Sequence, residues 1–501
     1  MSGARRNLAL LAACLAWAAA ALVRIDTVPG GLVIDQAEEV LRGLILVSER
    51  RVEVLTFVLG NSAETLWLYV LGASATLLGP TILALALPSA LAAAATIGLV
   101  VLLVGEIDAG IPPWIPFLLA AGSPWLFHYA RSGLRAVTAA LFVALAALLL
   151  SRLARDPRRT GLAASLGAAA GLAVYGYTAA RLVPVALAAV FAVLALRPGE
   201  RRAAWRKAAL AAAAGFAVVS IPNALAFAAH PREFLFRGAY SAVGGLGGRL
   251  ENLLATALLP LHYPDRYRFA FGEAHAIDGV SASLTGSGVD PVPLPVGLLT
   301  VFGLVLAWRR RREAAVLFLL LLHGLAVVGL GPLGPSLTRL LLLAPVFAVW
   351  ASFAVSALAK TPRARFAAAV VLAAIAAWAA RTYFFRLSDP DRAARNELAE
   401  VPTAMGERAR ALARADGARI VVVVAERPNV ARYFAWGTDV AVLDFLERPF
   451  DAREVAALLP ARRILVERFP RYAAFAPAGF AETASPDPRW RELAAIPPSG
   501  P

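Results

Sequence analysis

The sequence predicts an all-α protein that crosses the membrane many times and carries a small α/β domain at its C-terminal end. Hydrophobic residues make up 59% and charged residues 17% of the 501 residues, whereas soluble domains hold about 25% charged residues. The mean hydropathy is +0.67. A chain this apolar exceeds what a water-soluble globule can bury, so most of its helices are expected to cross a bilayer.

Apolar runs set the expected number of membrane spans, because a hydrocarbon core about 30 Å thick requires about 20 apolar residues per helix. A further run at 64–79 is short and has polar residues at its ends. About 11 transmembrane helices are predicted, from runs at 7–23, 82–104, 114–128, 134–151, 161–176, 182–196, 208–229, 294–307, 314–331, 338–358 and 366–385.

Basic loops predict the orientation of these helices. If the run at 64–79 lies on the outer surface, every arginine-dense segment faces the cytoplasm, as the positive-inside rule requires. The net charge of +15 then reflects topology and anionic headgroups, and no nucleic-acid partner is expected. The basic segments are the N-terminus with Arg5 and Arg6, Arg152–Arg159, Arg197–Lys207, Arg309–Arg312 and Lys360–Arg365.

This topology divides the chain into a membrane domain at 1–386 and a soluble extracytoplasmic α/β domain at 387–501. The membrane domain has a first outer loop at 24–81 and a long outer loop at 230–293. Residues 1–23 also resemble a cleavable signal peptide, although a retained first helix is preferred. Within the C-terminal domain, strands are predicted at 418–426, 440–445 and 461–469 and helices at Pro428–Trp436 and Asp451–Leu459.

A carboxylate follows the first helix, in PGGLVIDQAEEVLRG. Asp35 begins a helical pattern that also contains Glu38 and Glu39. Partial desolvation at a membrane boundary raises the basicity of a carboxylate, so Asp35 is a candidate general base. The alternative is that Asp35 only caps an interfacial helix.

Arginines at the outer helix ends are candidates for binding a phosphate, because the guanidinium fork matches phosphate oxygens. Arg131 and Arg135 lie in SPWLFHYARSGLR, Arg181 in YGYTAARLVP and Arg339 in GPSLTRLLLLAP. The alternative is that they extend toward lipid headgroups.

Motifs for other chemistries are missing from the sequence. The segment HYPDRYRFAFGEAHAID matches no metal-ligand spacing, and neither a P-loop nor GxSxG occurs. The sequence therefore predicts no required cofactor, and a bound divalent cation remains compatible with it. An activated donor is expected to arrive through the membrane.

Taken in order, the motifs resemble the bacterial branch of glycosyltransferase family 39, the protein-O-mannosyltransferase-like members of the GT-C superfamily. The resemblance covers about residues 24–390. The segments that carry it are PGGLVIDQA, AETLWLYVL, SPWLFHYARSGLR, YGYTAARLVP, IPNALAFAAHPREFLFR and LTRLLLLAP.

The resemblance implies an inverting glycosyltransferase of the bacterial inner membrane, with its site on the extracytoplasmic face. It would use a polyprenyl-phosphate sugar donor and a protein, lipid or glycan acceptor. Asp35 and Glu64 match catalytic positions, and Arg131, Arg135, Arg181 and Arg339 match positions that hold the lipid phosphate. Gln36 stands at the family's second acidic position, and Glu38 and Glu39 are the candidate substitutes for the missing carboxylate. Further contacts to the substrates are expected from Glu38, Glu39, His128, Tyr177 and Glu273.

Two other functions remain open from the sequence. A polymerase or ligase of lipid-linked glycans would use the arginines but not Asp35. A transporter or non-catalytic scaffold would place charges at mid-membrane and carry an inverted repeat, and neither is visible in the sequence.

Overall fold

The structure is a computed structural model with side chains. It describes residues 3–28, 32, 34–58, 61–231, 246–261, 291–333, 336–387, 400–416, 419–424, 428–444, 463–467, 480–483 and 485–495. Glu273 and the helix predicted at Asp451–Leu459 lie outside the described residues.

The membrane domain is built from helices packed around one apolar core. A short antiparallel hairpin, β1 (Leu55–Val58) and β2 (Asn61–Glu64), lies between α2 and α3. The helices are α1 (Gly3–Ala21), α2 (Ile34–Ser48), α3 (Leu66–Leu78), α4 (Ile82–Ile107), α5 (Trp114–Ala121), α6 (Pro124–Ala130), α7 (Val137–Arg155), α8 (Thr160–Gly176), α9 (Leu182–Leu196), α10 (Arg202–Ala229), α11 (Leu246–Ala257), α12 (Leu294–Arg309), α13 (Ala314–Leu330), α14 (Leu337–Leu340), α15 (Ala344–Leu358) and α16 (Pro362–Leu387).

Every predicted apolar run forms helix over most of its length, but the run at 114–128 is not one continuous helix. It breaks between α5 and α6, where Ser123 accepts a hydrogen bond from the backbone N–H of Leu126 and Pro124 occupies the first helical position. Both features begin a new helix. The predicted run is therefore divided into two short helices.

Within the described residues, seven helical segments are long and apolar enough to cross a bilayer. The chain is thus a multi-pass membrane protein, and the number of about 11 spans stays a prediction. Helix α3 has 13 residues and rises about 20 Å, which is less than the thickness of the hydrocarbon core. The seven segments are Ile82–Ile107, Val137–Arg155, Thr178–Leu196, Arg202–Ala229, Ala314–Leu333, Leu337–Leu358 and Pro362–Phe385.

The basic loops gather at one end of the helices. Arg310 Nη1 lies 3.0 Å from Asp108 Oδ2, and Arg197 Nη1 donates to the carbonyl oxygen of Arg312 at 3.0 Å. The Arg310 guanidinium also lies 5.0 Å from the ring centroid of Phe353, near the end of α15, where the fourth basic loop begins. We call this end the basic face. Helices α7 and α9 end there and begin at the opposite end of the molecule.

The C-terminal part contains a five-stranded mixed sheet with strand order β4-β3-β5-β7-β6. Its elements are α17 (Glu400–Asp416), β3 (Ile420–Val424), α18 (Pro428–Phe434), β4 (Val440–Asp444), β5 (Arg463–Glu467), β6 (Phe480–Thr483) and β7 (Trp490–Ala495). Strands β3, β4 and β5 are parallel and were predicted from their apolar sequences. Strands β6 and β7 add two antiparallel pairings that were not predicted.

This C-terminal part packs on the membrane domain at the end opposite the basic face. The Tyr433 hydroxyl donates to the carbonyl oxygen of Thr81 at 2.8 Å, and Arg410 Nη1 donates to that of Pro80 at 3.3 Å. The Asn429 side-chain amide donates to the Glu38 carboxylate on α2. Helix α2 is thereby held between the membrane domain and α18.

Helices α2 and α3 cross in backbone contact at two glycines. A Cβ on Gly43 would overlap the carbonyl oxygen of Leu68, and a Cβ on Gly72 would overlap that of Gly43. Small residues permit such close crossings in membrane proteins. The crossing fixes where α2 presents its carboxylates.

Gly43→Val is therefore expected to destabilise the protein and to reduce any activity that depends on α2, because a larger side chain forces the two helices apart. The thermal unfolding midpoint in detergent measures this effect. Gly324→Ala is the matched control, since a Cβ at this position within α13 meets no atom within 4 Å. An equal effect of both substitutions would contradict the proposed crossing.

Candidate functional site

The candidate site lies at the helix ends opposite the basic face. Four segments meet there: the start of α2, the end of β2, the turn between α6 and α7, and the 3₁₀ turn Thr178–Arg181 before α9. Three of these segments are short connections whose backbones are fixed by buried contacts. The functional side chains are thus held by the membrane core.

The turn between α6 and α7 is shaped by Gly133, which has a φ of +75°. Glycine adopts this conformation without the steric cost that a side chain would bring. The Trp67 indole N–H donates to the Gly133 carbonyl oxygen at 2.7 Å. The indole and the turn together hold Arg135 at the start of α7.

Gln36 stands where the family pattern has a second acidic residue, and its contacts explain why an amide fits this position. It is 7% exposed, and its amide nitrogen donates to the carbonyl oxygen of Ser132 at 2.5 Å. A carboxylate cannot donate such a hydrogen bond at neutral pH. Gln36 therefore ties α2 to the turn that carries Arg131 and Arg135.

Four charged side chains form a continuous chain at the centre of the site. Arg135 Nε lies 3.2 Å from Glu39 Oε1, and its Nη1 lies 3.6 Å from Glu64 Oε2. The other carboxylate oxygen of Glu64 lies 2.6 Å from Arg181 Nη2. Of the two carboxylates left open by the sequence, Glu39 is thus the one that pairs with the arginines.

The charge chain is buried at one end and open at the other. Glu39, Glu64 and Arg135 are at most 4% exposed, whereas the Arg181 side chain is 28% exposed. Thr178 Oγ1 also donates to Glu64, at 3.1 Å. Because Arg181 lies at the open end, it is the member of the chain that a substrate can reach.

Arg135 remains a cation in this setting. Burial lowers its pKa, but the carboxylates of Glu39 and Glu64 raise it by more, so the net direction is upward. The guanidinium also lies 5.9 Å from the ring centroid of Tyr177, which is a cation–π distance. A permanent positive charge is therefore fixed beneath the site.

Asp35 lies at the first turn of α2 and is partly exposed. It lies one helical turn before Glu39 on α2, and its charge helps to raise the pKa of both Arg135 and Glu38. It is less buried than Glu39 or Glu64. Among these carboxylates, Asp35 combines access to a substrate with proximity to the arginines.

Arg339 approaches the site from α14. The Trp125 indole N–H donates to the carbonyl oxygen of Leu337 at 3.1 Å, and α14 packs against the 3₁₀ turn that ends at Arg181. Arg339 Nη1 donates to the carbonyl oxygen of Leu333 at 3.2 Å. Within the part of the chain that the structure describes, Arg339 makes no ion pair with a carboxylate.

Arg131 is oriented away from this cluster. It is 4% exposed, and its terminal nitrogens donate to main-chain carbonyls that follow α1, including that of Val23 at 2.9 Å. Its guanidinium also lies 5.3 Å from the ring centroid of Phe384. Arg131 joins the end of α1 to α6 and α16. Its guanidinium is therefore directed away from the exposed end of the charge chain at Arg181.

His128 is likewise part of the packed interior. It is 3% exposed, and its Nδ1 forms a hydrogen bond of 2.9 Å with the Tyr383 hydroxyl. In this arrangement it contacts aromatic side chains of α16. His128 is therefore buried below the candidate site. A substrate could contact its Nδ1 only if the Tyr383 side chain moved away.

A cleft of about 580 Å³ lies between α2 and the C-terminal part, beside the contact of Glu38 with Asn429. Glu38 and Arg42 line it on one side, and Arg432 and Trp436 line it on the other. Burial raises the pKa of Glu38, and the nearby Asp35 adds to that direction, while Arg432 and the hydrogen bond from Asn429 act against it. The sequence did not reveal this cleft, because its two walls are distant in the chain.

No cluster of three or more potential metal ligands occurs among the described residues. The carboxylates of the site are instead matched by arginines.

A family comparison supports the same region. Residues 65–225 match the model of a family described as dolichyl-phosphate-mannose-protein mannosyltransferase. The predicted resemblance is confirmed. The match contains Arg131, Arg135 and Arg181 and begins just after Glu64. No protein of curated function matches the chain by sequence.

Two solved structures share the fold of this chain. The crystal structure of ArnT from Cupriavidus metallidurans bound to undecaprenyl phosphate has a TM-score of 0.62 and 13% identity over 100% of both chains. The archaeal oligosaccharyltransferase AglB from Archaeoglobus fulgidus, in complex with an inhibitory peptide and a dolichol-phosphate, has a TM-score of 0.51 and 14% identity. That match covers 91% of this chain and 69% of AglB. At these identities the likeness establishes the fold alone.

Proposed function

We propose that the protein is an inverting membrane glycosyltransferase that moves a sugar from a polyprenyl-phosphate donor to an acceptor hydroxyl. The observation that carries the proposal is the charge chain Glu39–Arg135–Glu64–Arg181 beside the partly exposed Asp35. A candidate base, Asp35, and a candidate phosphate ligand, Arg181, thus lie at the same end of the helices. That end lies opposite the basic face, and the positive-inside rule supports the proposal that it faces outward from the cytoplasm at a bacterial inner membrane.

In the proposed reaction, Asp35 takes the proton of the acceptor hydroxyl while the acceptor oxygen attacks the anomeric carbon of the sugar. The bond from that carbon to the lipid phosphate oxygen breaks, and the phosphate leaves with the electron pair. General-base catalysis contributes about 10²–10⁴ in rate. Fixed guanidinium groups stabilise the charge that develops on the phosphate.

Arg181 and Arg339 are the proposed phosphate ligands, because each has an accessible guanidinium and the segments that carry them are in contact. Arg135 and Glu64 are too buried to touch the donor and are proposed to position Arg181. Arg131 is left out of the phosphate set, since main-chain carbonyls occupy its terminal nitrogens.

Arg339→Ala is expected to weaken the binding of undecaprenyl phosphate by about tenfold or more, because a charge-assisted hydrogen bond contributes about 1.5–3 kcal/mol. Binding can be measured by native mass spectrometry in detergent. Arg50→Ala is the matched control, because it removes one exposed arginine from the first outer loop. Unchanged binding by the Arg339 variant would exclude this residue from the donor site.

The cleft between α2 and the C-terminal part is the proposed acceptor path. It begins at Glu38, one helical turn beyond Asp35, and leads to an indole and two arginines. Polar groups around an aromatic side chain suit a hydroxyl-bearing acceptor. The C-terminal domain at 387–501 is proposed to lie on the extracytoplasmic side and to bind the acceptor.

The function can be tested with the purified protein in liposomes that contain a polyprenyl-phosphate sugar with a radioactive label. Transfer of the label to cell-envelope material, with release of the free lipid phosphate, is expected. A glycan polymerase or ligase would elongate or transfer a whole lipid-linked glycan and would tolerate loss of Asp35. A transporter would move the lipid-linked sugar between leaflets without cleaving it.

A further inference from the structure

A second large cleft lies on the basic face, away from the proposed active site. Its volume is about 680 Å³. It opens between the end of α7, the loop from α9 to α10, and the loop before α13. Helix α9 separates the two regions, since it begins beside Arg181 and ends beside Arg197.

Three arginines of this cleft carry charge that no described carboxylate neutralises. Arg197, Arg201 and Arg202 donate to main-chain carbonyls, at 3.0, 3.3 and 3.2 Å respectively. None of them makes an ion pair within the described residues.

The acidic side chains that line the cleft neutralise little of the positive charge of these three arginines. Glu106 is paired with Arg152 and Arg155, and Glu313 with Arg310. Glu200 is exposed at the rim. The N-terminus of α10, which begins at Arg202, adds its partial positive charge. The arginines of the cleft therefore outnumber its carboxylates, and the cleft carries a net positive charge.

The wall of the cleft is apolar on the side of the membrane helices. Leu194 and Trp205 are 6% and 7% exposed and form part of the lining. Leu196, at the end of α9, is 68% exposed. A cationic rim therefore adjoins apolar surface of a membrane-crossing segment, an arrangement that accommodates a molecule with an anionic head and an acyl tail.

We propose that this cleft binds the headgroup phosphate of an anionic phospholipid. The guanidinium groups of Arg197, Arg201 and Arg202 hold the phosphate oxygens, for which the arginine fork is well shaped. The acyl chains lie against α9. The proposal depends on the charges and the cleft alone and is independent of the glycosyltransferase function.

The test compares lipid retention by native mass spectrometry of the full-length protein in a neutral detergent. Phosphatidylglycerol is titrated against phosphatidylcholine. The unchanged protein is expected to bind phosphatidylglycerol at least about tenfold more tightly, a ratio that two or more charge-assisted contacts can supply. The triple variant Arg197→Ala, Arg201→Ala, Arg202→Ala is expected to lose that preference.

A matched variant removes the same number of charges from the same face but outside the cleft: Arg158→Ala, Arg159→Ala, Arg311→Ala. It is expected to keep the preference. Equal loss in both variants would overturn the proposal in favour of general surface charge. Displacement of the lipid by inorganic phosphate at the same phosphate concentration would overturn it in favour of a soluble anion. Intact folding of both variants is checked by their thermal unfolding midpoints.

Discussion

Asp35→Asn is expected to lower the rate of sugar transfer by about 10²–10⁴, because the amide cannot take the proton of the acceptor hydroxyl. The substitution preserves the size of the side chain and its place in the first turn of α2. Binding of undecaprenyl phosphate is expected to stay unchanged, since the proposed phosphate ligands are arginines on other segments. The transfer assay in liposomes and native mass spectrometry measure the two effects separately.

Asp26→Asn is the control for this prediction. Asp26 is an exposed carboxylate in the same outer loop, and its charge helps to raise the pKa of Glu407 in the C-terminal part. Normal transfer by the Asp35 variant would remove this residue as the base and would favour the polymerase or ligase alternative. Loss of transfer by both variants would show that the charge of the loop, not the base, is what matters.

Glu64→Gln is expected to reduce both stability and transfer. Glu64 is 1% exposed and neutralises Arg135 on one side and Arg181 on the other. Removing one partner of a buried ion pair costs about 3–5 kcal/mol, because the remaining charge is left buried. Without Glu64, Arg181 also loses the contact that holds it toward the proposed donor site. Thermal unfolding in detergent and the transfer assay measure these losses.

The comparison for this variant is Glu49→Gln, which breaks an exposed pair with Arg51 in the same loop. Exposed pairs contribute about 0–1 kcal/mol, so this variant should unfold close to the unchanged protein. If the Glu64 variant were equally stable, the buried charge chain would not contribute to the fold as described.

The sequence predicted the helices because apolar runs in a membrane protein leave few alternatives for the backbone. It also placed Asp35, Arg135 and Arg181 in segments that the structure brings together. It predicted β3, β4 and β5 from runs of β-branched residues. Strands β6 and β7 were missed, since short sequences such as Phe480–Thr483 carry a weak alternating pattern and mostly exposed side chains.

The partners of individual charged side chains were harder to predict from the sequence than the segments that carry them. The sequence left open whether Glu38 or Glu39 replaces the family's second carboxylate, and adjacent residues on a helix point in different directions. The structure directs Glu39 to Arg135 and Glu38 to Asn429. Arg131 and Arg135 appear equivalent in sequence, but the bend at Gly133 sends their side chains to different neighbours.

The central claim is that the base and the phosphate ligands act on opposite faces of one sugar. The most direct test is the anomeric configuration of the transferred sugar, determined by NMR on the product formed from a donor of known configuration. Attack by an acceptor oxygen activated at Asp35, with the phosphate held by Arg181 and Arg339, predicts inversion. Retention of configuration would contradict the account.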